Sequence, residues 1–168
     1  MLYGIWHVSW TVTDIVRSQA FYTTLGFELM HYQENKNEYT DKLVGLEGTH
    51  LKAAMMRFKD TPPGLSGHVI ELIEYVTPQG EHLRPRPCDI NAAHMAVITD
   101  NAQELYERMV IAGGTFVNPP VAITSGLNRG GYTCYMRDPD GFTIELMQPP
   151  KWRFEEYEAR TTEAAGEP

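Results

Sequence analysis

The chain repeats itself at a distance of 87 residues, which carries His7 to His94, Asp14 to Asn101 and Gly26 to Gly113. An internal repeat constrains a fold more than local propensity does, because each copy must be a supersecondary unit that packs with the other. Both runs, 7–14 and 94–101, read as a strand ending on a side chain able to cap a helix. A helix-like segment follows in each copy, over 15–25 and 102–112, and each then meets a glycine suited to a C-terminal helix stop. Glu71 and Glu145 are 74 residues apart, so the second copy lacks about a dozen residues between its helix and its last strand.

The repeat also carries chemistry. His7 and Glu71 in the first copy, and His94 and Glu145 in the second, sit in short apolar runs that read as strands. Two imidazoles and two carboxylates suit a borderline or hard divalent ion, so Zn, Ni, Co, Mn and Fe are all candidates for one metal per site. A lone strand histidine is more often packed than ligating. The doubled His–Glu pattern is what favours metal binding.

Composition narrows the partners. Hydrophobic residues make up 42% of 168, which argues for a folded chain. A net charge of −8 argues against nucleic acid, whose phosphates need a basic face. No apolar run approaches the roughly 20 residues needed to span a bilayer. The start lacks a basic segment followed by an apolar stretch, and Cys88 and Cys134 have no metal or redox spacing, so a cytoplasmic setting is expected.

The expected elements are a strand over 4–12, the helix over 15–25, a second strand after Gly26, and a polar loop over 33–42. Paired strands over 42–46 and 51–57, a turn over 61–64 and a strand over 69–76 complete the first module, 1–76. On 4–12 the apolar residues Trp6, Val8, Trp10 and Val12 share the even face and should meet the helix, while His7 lies on the odd face. Residues 77–91, with Pro78, Gly80, Pro85 and Pro87, read as a linker. The second module, 92–150, has strands over 92–98, 115–117, 132–137 and 142–147, a helix over 102–112, a loop over 126–131 and a tight turn over 138–141. A charged tail, 151–168, follows; Trp152, Phe154 and Tyr157 suit a terminal helix, and 161–168 suits disorder.

This order, βαβββ twice, resembles the vicinal oxygen chelate superfamily, which includes glyoxalase I, methylmalonyl-CoA epimerase, extradiol dioxygenases, fosfomycin resistance proteins and bleomycin-binding proteins. The resemblance rests on residues 7–14, 21–22, 25–27, 70–75, 93–96 and 137–146. It implies an α+β fold, two βαβββ modules paired with a curved mixed sheet around a metal site. Family ligands lie on the first and last strand of each module, and so fall on His7, Glu71, His94 and Glu145. That set looks like glyoxalase I. Extradiol enzymes use three ligands and iron, so a carboxylate at Glu71 speaks against them, and bleomycin-type binders usually lack the ligands. The resemblance therefore implies a divalent-metal-dependent isomerase, epimerase or glyoxalase-type lyase acting on a small molecule with adjacent oxygens. An iron(II) ring-cleaving dioxygenase and a non-catalytic antibiotic-binding protein are the alternatives. A homodimer is expected, because short sheets leave open strand edges and the superfamily commonly dimerises.

Within that reading Glu71 or Glu145 would be the base, as glyoxalase-like enzymes imply, or Glu47, as the epimerases imply. Gly48 beside Glu47 suits a surface turn equally well. Arg57, Asn128, Arg129, Tyr132 and Tyr135 are candidate substrate contacts, because an oxygen-rich ligand needs donors. Glu74 faces away from Glu71 and is expected to be solvated or hydrogen-bonded. His68 is expected to be structural, and His31, His50 and His82 to lie in loops or turns. Trp10, Phe21 and Tyr22 are expected in the core, and Cys134 as a small strand residue.

Overall fold

Helix α1 (Ile15–Leu25) begins at its cap and ends at its glycine. The Asp14 carboxylate accepts the Val16 and Arg17 amides at 3.0 Å each, satisfying donors that a helix start leaves orphaned. Gly26 stops the helix at φ 122°, a region costly for any side chain. Helix α3 (Ala102–Ile111) repeats the device, with the Asn101 side chain accepting the Glu104 amide at 3.1 Å. This computed structural model describes residues 5–59, 68–153 and 155–156.

The chain forms two compact units, Met1–Arg84 and Pro85–Pro168. In the first, β1 (Val8–Thr11), β2 (Phe27–Asn35), β3 (His50–Phe58) and β4 (Val69–Thr77) form one sheet in the order β1-β4-β3-β2. The β1–β4 pair is parallel and the others antiparallel. Helix α1 covers one face of this sheet: the Tyr22 ring lies 5.4 Å from Trp10, and Tyr22, Ile15, Leu72, Met56 and Ala54 are fully buried. In the second unit β5 (His94–Ile98), β6 (Thr115–Phe116), β8 (Tyr132–Arg137) and β9 (Thr143–Gln148) run β5-β9-β8-β6, and β7 (Val121–Ala122) also pairs with β8. The β5–β9 pair is again parallel. Ala102, Leu105 and Met109 of α3 are buried, as are Cys134, Met136, Ile144 and Leu146. Two mixed sheets, each with its helix, make this an α+β fold.

The strands of each unit thus play equivalent parts, and the structure adds an equivalence that identity alone concealed. Glu74 Oε2 accepts the Ile15 amide at 2.9 Å, and Gln148 Oε1 accepts the Ala102 amide at 2.9 Å. Each is the third residue beyond the strand glutamate, and each ties the last strand of its unit to the first amide of the helix. Glu74 is therefore a hydrogen-bonded charge, as its face suggested. It also pairs with Lys52 at 2.8 Å.

Several expectations need correction. The polar stretch assigned to a loop over 33–42 continues β2 to Asn35 and then forms helix α2 (Glu38–Val44), which also replaces the strand expected over 42–46. Asn37 caps that helix at the Thr40 amide, 3.0 Å, and Gly45 stops it in the left-handed region. The helix was missed because its caps, not an apolar stripe, define it. His31 lies within β2 and His50 begins β3, so neither is in a loop. The first strand is regular only over Val8–Thr11, and of its even face Val12 is buried, Trp10 half-buried, and Trp6 and Val8 exposed. The turn at 61–64, and the Phe154 and Tyr157 of the tail, lie outside the described residues. Trp152 is exposed. The turn at 138–141 forms as read: Asp138 Oδ1 accepts the Asp140 and Phe142 amides at 2.9 and 2.8 Å.

Candidate metal half-sites

Strand register places the candidate ligands. In the first unit Ser9 pairs with Glu71 and Glu71 with Met55, so the Glu71 side chain stands on the face opposite Leu72 and the helix. His7, just before β1, brings its Nε2 to 3.3 Å from Glu71 Oε2. In the second unit Ala96 pairs with Glu145 and Glu145 with Tyr135, again on the face away from the helix. His94 Nε2 lies 3.5 Å from Glu145 Oε2. Both carboxylates are mostly shielded, with side chains 16% and 15% exposed.

These distances bear on a metal. Ion pairs in direct contact elsewhere are shorter, at 2.8 Å for Lys52–Glu74 and 2.9 Å for Arg57–Glu28. Two donors each about 2.1 Å from one ion lie about 3.0 Å apart at an octahedral right angle and about 3.4 Å apart at a tetrahedral one. The two His–Glu pairs match that spacing better than a tight ion pair. The His7 Nδ1 atom is buried without a hydrogen-bond partner, so Nε2 is the nitrogen engaged with the carboxylate. Each pair supplies two donors. Among the described residues no group of three or more His, Cys, Asp or Glu side chains is assembled that could hold a metal.

The second pair is built more firmly than the first. Thr133 Oγ1 donates to Glu145 Oε1 at 2.7 Å. The His94 ring lies 5.4 Å from Tyr135. Burial, then the Glu145 charge, pushes the Tyr135 phenol up, so it stays a hydrogen-bond donor at neutral pH. The same two causes push the neighbouring Cys134 thiol up to about 11.

The other candidates separate by strand parity. Asn128 lies on the Glu145 face, its Nδ2 3.6 Å from Met147 Sδ and its Oδ1 buried without a partner. Tyr135 and Arg57 stand on the ligand faces of their sheets, but Arg57 is engaged by Glu28 at 2.9 Å. Tyr132 pairs with the helix-capping Gln148 and so stands on the opposite face from Glu145. Arg129 is exposed in the loop before β8, and Glu47 is exposed in the turn between α2 and β3. Sequence reading missed Thr133. Its signal was present, since it precedes Tyr135 by two on a strand facing Glu145.

Residues 4–146 match the glyoxalase/bleomycin resistance protein/dioxygenase superfamily. The chain belongs to this superfamily. It is 25% identical over 144 residues to a lactoylglutathione lyase of Arabidopsis thaliana, covering 84% of this chain and 43% of that one. The chain thus spans less than half the length of this curated relative. A glyoxalase family protein from Bacillus cereus shares the fold at a TM-score of 0.75 and 22% identity, over 89% of this chain and 96% of that one. A fosfomycin resistance protein from Listeria monocytogenes does so at 0.57 and 18%, over 90% and 97%. No helix among the described residues is long and apolar enough to cross a membrane.

Proposed function

We propose that the chain is a divalent-metal-dependent enzyme that moves a carbon-bound proton next to a carbonyl in a small molecule with adjacent oxygens. The observation that carries this reading is the doubled His–Glu pair, each with its imidazole nitrogen and carboxylate oxygen 3.3 or 3.5 Å apart. In this reading His7 and Glu71 supply one pair of ligands, and His94 and Glu145 another. An ion bound there would supply Lewis-acid polarisation of a carbonyl oxygen.

The side chains do the rest. A carboxylate oxygen within reach of the substrate carbon takes its proton, and the C–H electron pair passes toward the carbonyl oxygen. Returning the proton to the opposite face gives an epimer, and returning it to the neighbouring carbon gives an isomer. The Tyr135 phenol can donate to a substrate oxygen, and the unpartnered Asn128 Oδ1 can accept from a substrate hydroxyl. The name of the plant relative supports a lactoyl-type ligand, which carries a hydroxyl and a carbonyl oxygen on adjacent carbons.

The test is solvent exchange. With S-lactoylglutathione in heavy water, NMR should show deuterium entering at the carbon that bears the hydroxyl. Metal analysis of the purified protein should find one divalent ion per ligand set, and His94→Ala should lose both the ion and the exchange while remaining folded. Oxygen uptake with ring cleavage of a catechol would refute the reading. So would absence of exchange across a panel of small hydroxy- and keto-compounds.

A further inference from the structure

Resting on that reading, we propose that Arg57 binds a carboxylate of the substrate in the first unit, its guanidinium held beside the His7–Glu71 pair by Glu28. The internal repeat supplies the comparison. Arg57 pairs with Val69, two residues before Glu71, and Arg137 pairs with Thr143, two residues before Glu145. Each arginine therefore stands at the same place in its unit, on the face of the glutamate and two residues along from the position opposite it. The two guanidiniums are used differently. Arg137 Nη1 donates to the Gly141 carbonyl at 2.9 Å and Nη2 to the Pro85 carbonyl at 3.0 Å, so its fork is occupied by the backbone of its own unit. Arg57 is held at the other end. Its Nε donates to Glu28 Oε1 at 2.9 Å, and no acceptor among the described residues takes a bond from either Nη.

A guanidinium fixed at Nε keeps two Nη groups that can meet both oxygens of an anion end-on. This one is near the candidate ligands. Met55 lies directly opposite Glu71, which makes Arg57 the diagonal neighbour of Glu71, roughly 7–8 Å away across the sheet. His7 precedes Val8, which pairs with Ile70, so His7 and Arg57 both lie at the Val69 end of β4. The Arg57 side chain is 30% exposed, shielded enough to strengthen a charged hydrogen bond and open enough to admit a ligand. Local charge selects the anion. The same face carries two carboxylates, Glu28 and Glu71, against this one guanidinium. A phosphate dianion would meet the stronger repulsion, whereas a carboxylate brings one charge spread over two oxygens. The ligand class is therefore a small carboxylic acid whose further oxygens reach the His7–Glu71 pair.

Calorimetry compares lactate with lactamide, which has nearly the same shape without the charge, on the protein as purified and after loading with cobalt(II). Cobalt affinity and thermal unfolding serve as controls. Wild type should bind lactate roughly 10- to 100-fold more tightly than lactamide. Arg57→Gln should abolish that preference while keeping cobalt affinity and the melting transition. Arg57→Lys keeps the charge without the fork and should recover only part of it. Glu28→Gln still accepts from Nε and should bind lactate more tightly than Glu28→Leu, which is equally uncharged but holds nothing. Arg137→Gln should lower the melting transition and leave the preference intact. The inference falls if lactate binds no more tightly than lactamide, if Arg57→Gln keeps the preference, if Glu28→Leu matches Glu28→Gln, or if inorganic phosphate binds more tightly than lactate. Deuterium exchange into uncharged hydroxyacetone separates the two readings. Exchange in wild type without the lactate preference sinks the inference alone. The preference without exchange in any hydroxy- or keto-compound leaves the anion site and sinks the proposed function.

Discussion

Glu74 is the place where packing and site meet, and its removal should be measurable. It sits three residues beyond Glu71 on β4 and holds the first amide of α1, with Ile15 only 1% exposed. Glu74→Ala leaves that amide without its acceptor, beside the buried Ile15 side chain. Losing a helix cap costs about 1 kcal/mol, and stranding a buried donor costs about 1–3 kcal/mol. The two describe the same bond, so about 2 kcal/mol is the working figure. For a chain of this size that is a fall of about 4–8 °C in the melting transition. Glu74→Gln should cost much less, because Gln148 already makes the same bond to Ala102 in the second unit. Burial pushes the Glu74 carboxyl up, but the Lys52 ammonium and the Ile15 amide outweigh it and hold the group below the usual carboxylate range. A folded value below the unfolded one means the stabilisation is present above about pH 4.3 and is lost as pH falls through the folded value. The gap between wild type and Glu74→Ala should therefore narrow below about pH 4. Thermal scans by circular dichroism at pH 7 and pH 3.5 would show it. A Glu74→Ala melt within 1 °C of wild type, or a Glu74→Gln melt as low as Glu74→Ala, would refute the reasoning.

Two further outcomes are expected. At pH 8 a thiol reagent should modify the exposed Cys88 quickly and spare Cys134, which is buried with its thiol pushed up to about 11; fast loss of both in the native protein would contradict the burial. In sedimentation at micromolar protein the chain should run as a dimer of its 19.1 kDa mass, and a monomer would overturn the expectation that its strand edges are paired.

The local signals were legible without coordinates. Asp14 and Gly26 bound α1 over residues 15–25, and Asn101 opens α3. The four candidate ligands could be named from the repeat of His and Glu alone. What escaped were features whose cause is local but not apolar, such as the Asn37 cap and Gly45 stop of α2. Burial escaped too: Val8 is 52% exposed although it alternates with polar residues as a core strand would.

By itself the sequence determined the doubled module, its helix boundaries and the residue types able to bind a metal, because caps, glycine stops and strand alternation act within a few residues. Tertiary structure alone decided which side chains meet. Glu74 reaches Ile15 across 59 positions, Thr133 reaches Glu145 across 12, and Tyr132 is turned away from the site that Tyr135 faces. These outcomes depend on strand register, and a register slip of one residue would exchange every face. The Asp138 turn and the antiparallel pairing of β8 with β9 hold that register, and with it the contact between Thr133 and Glu145.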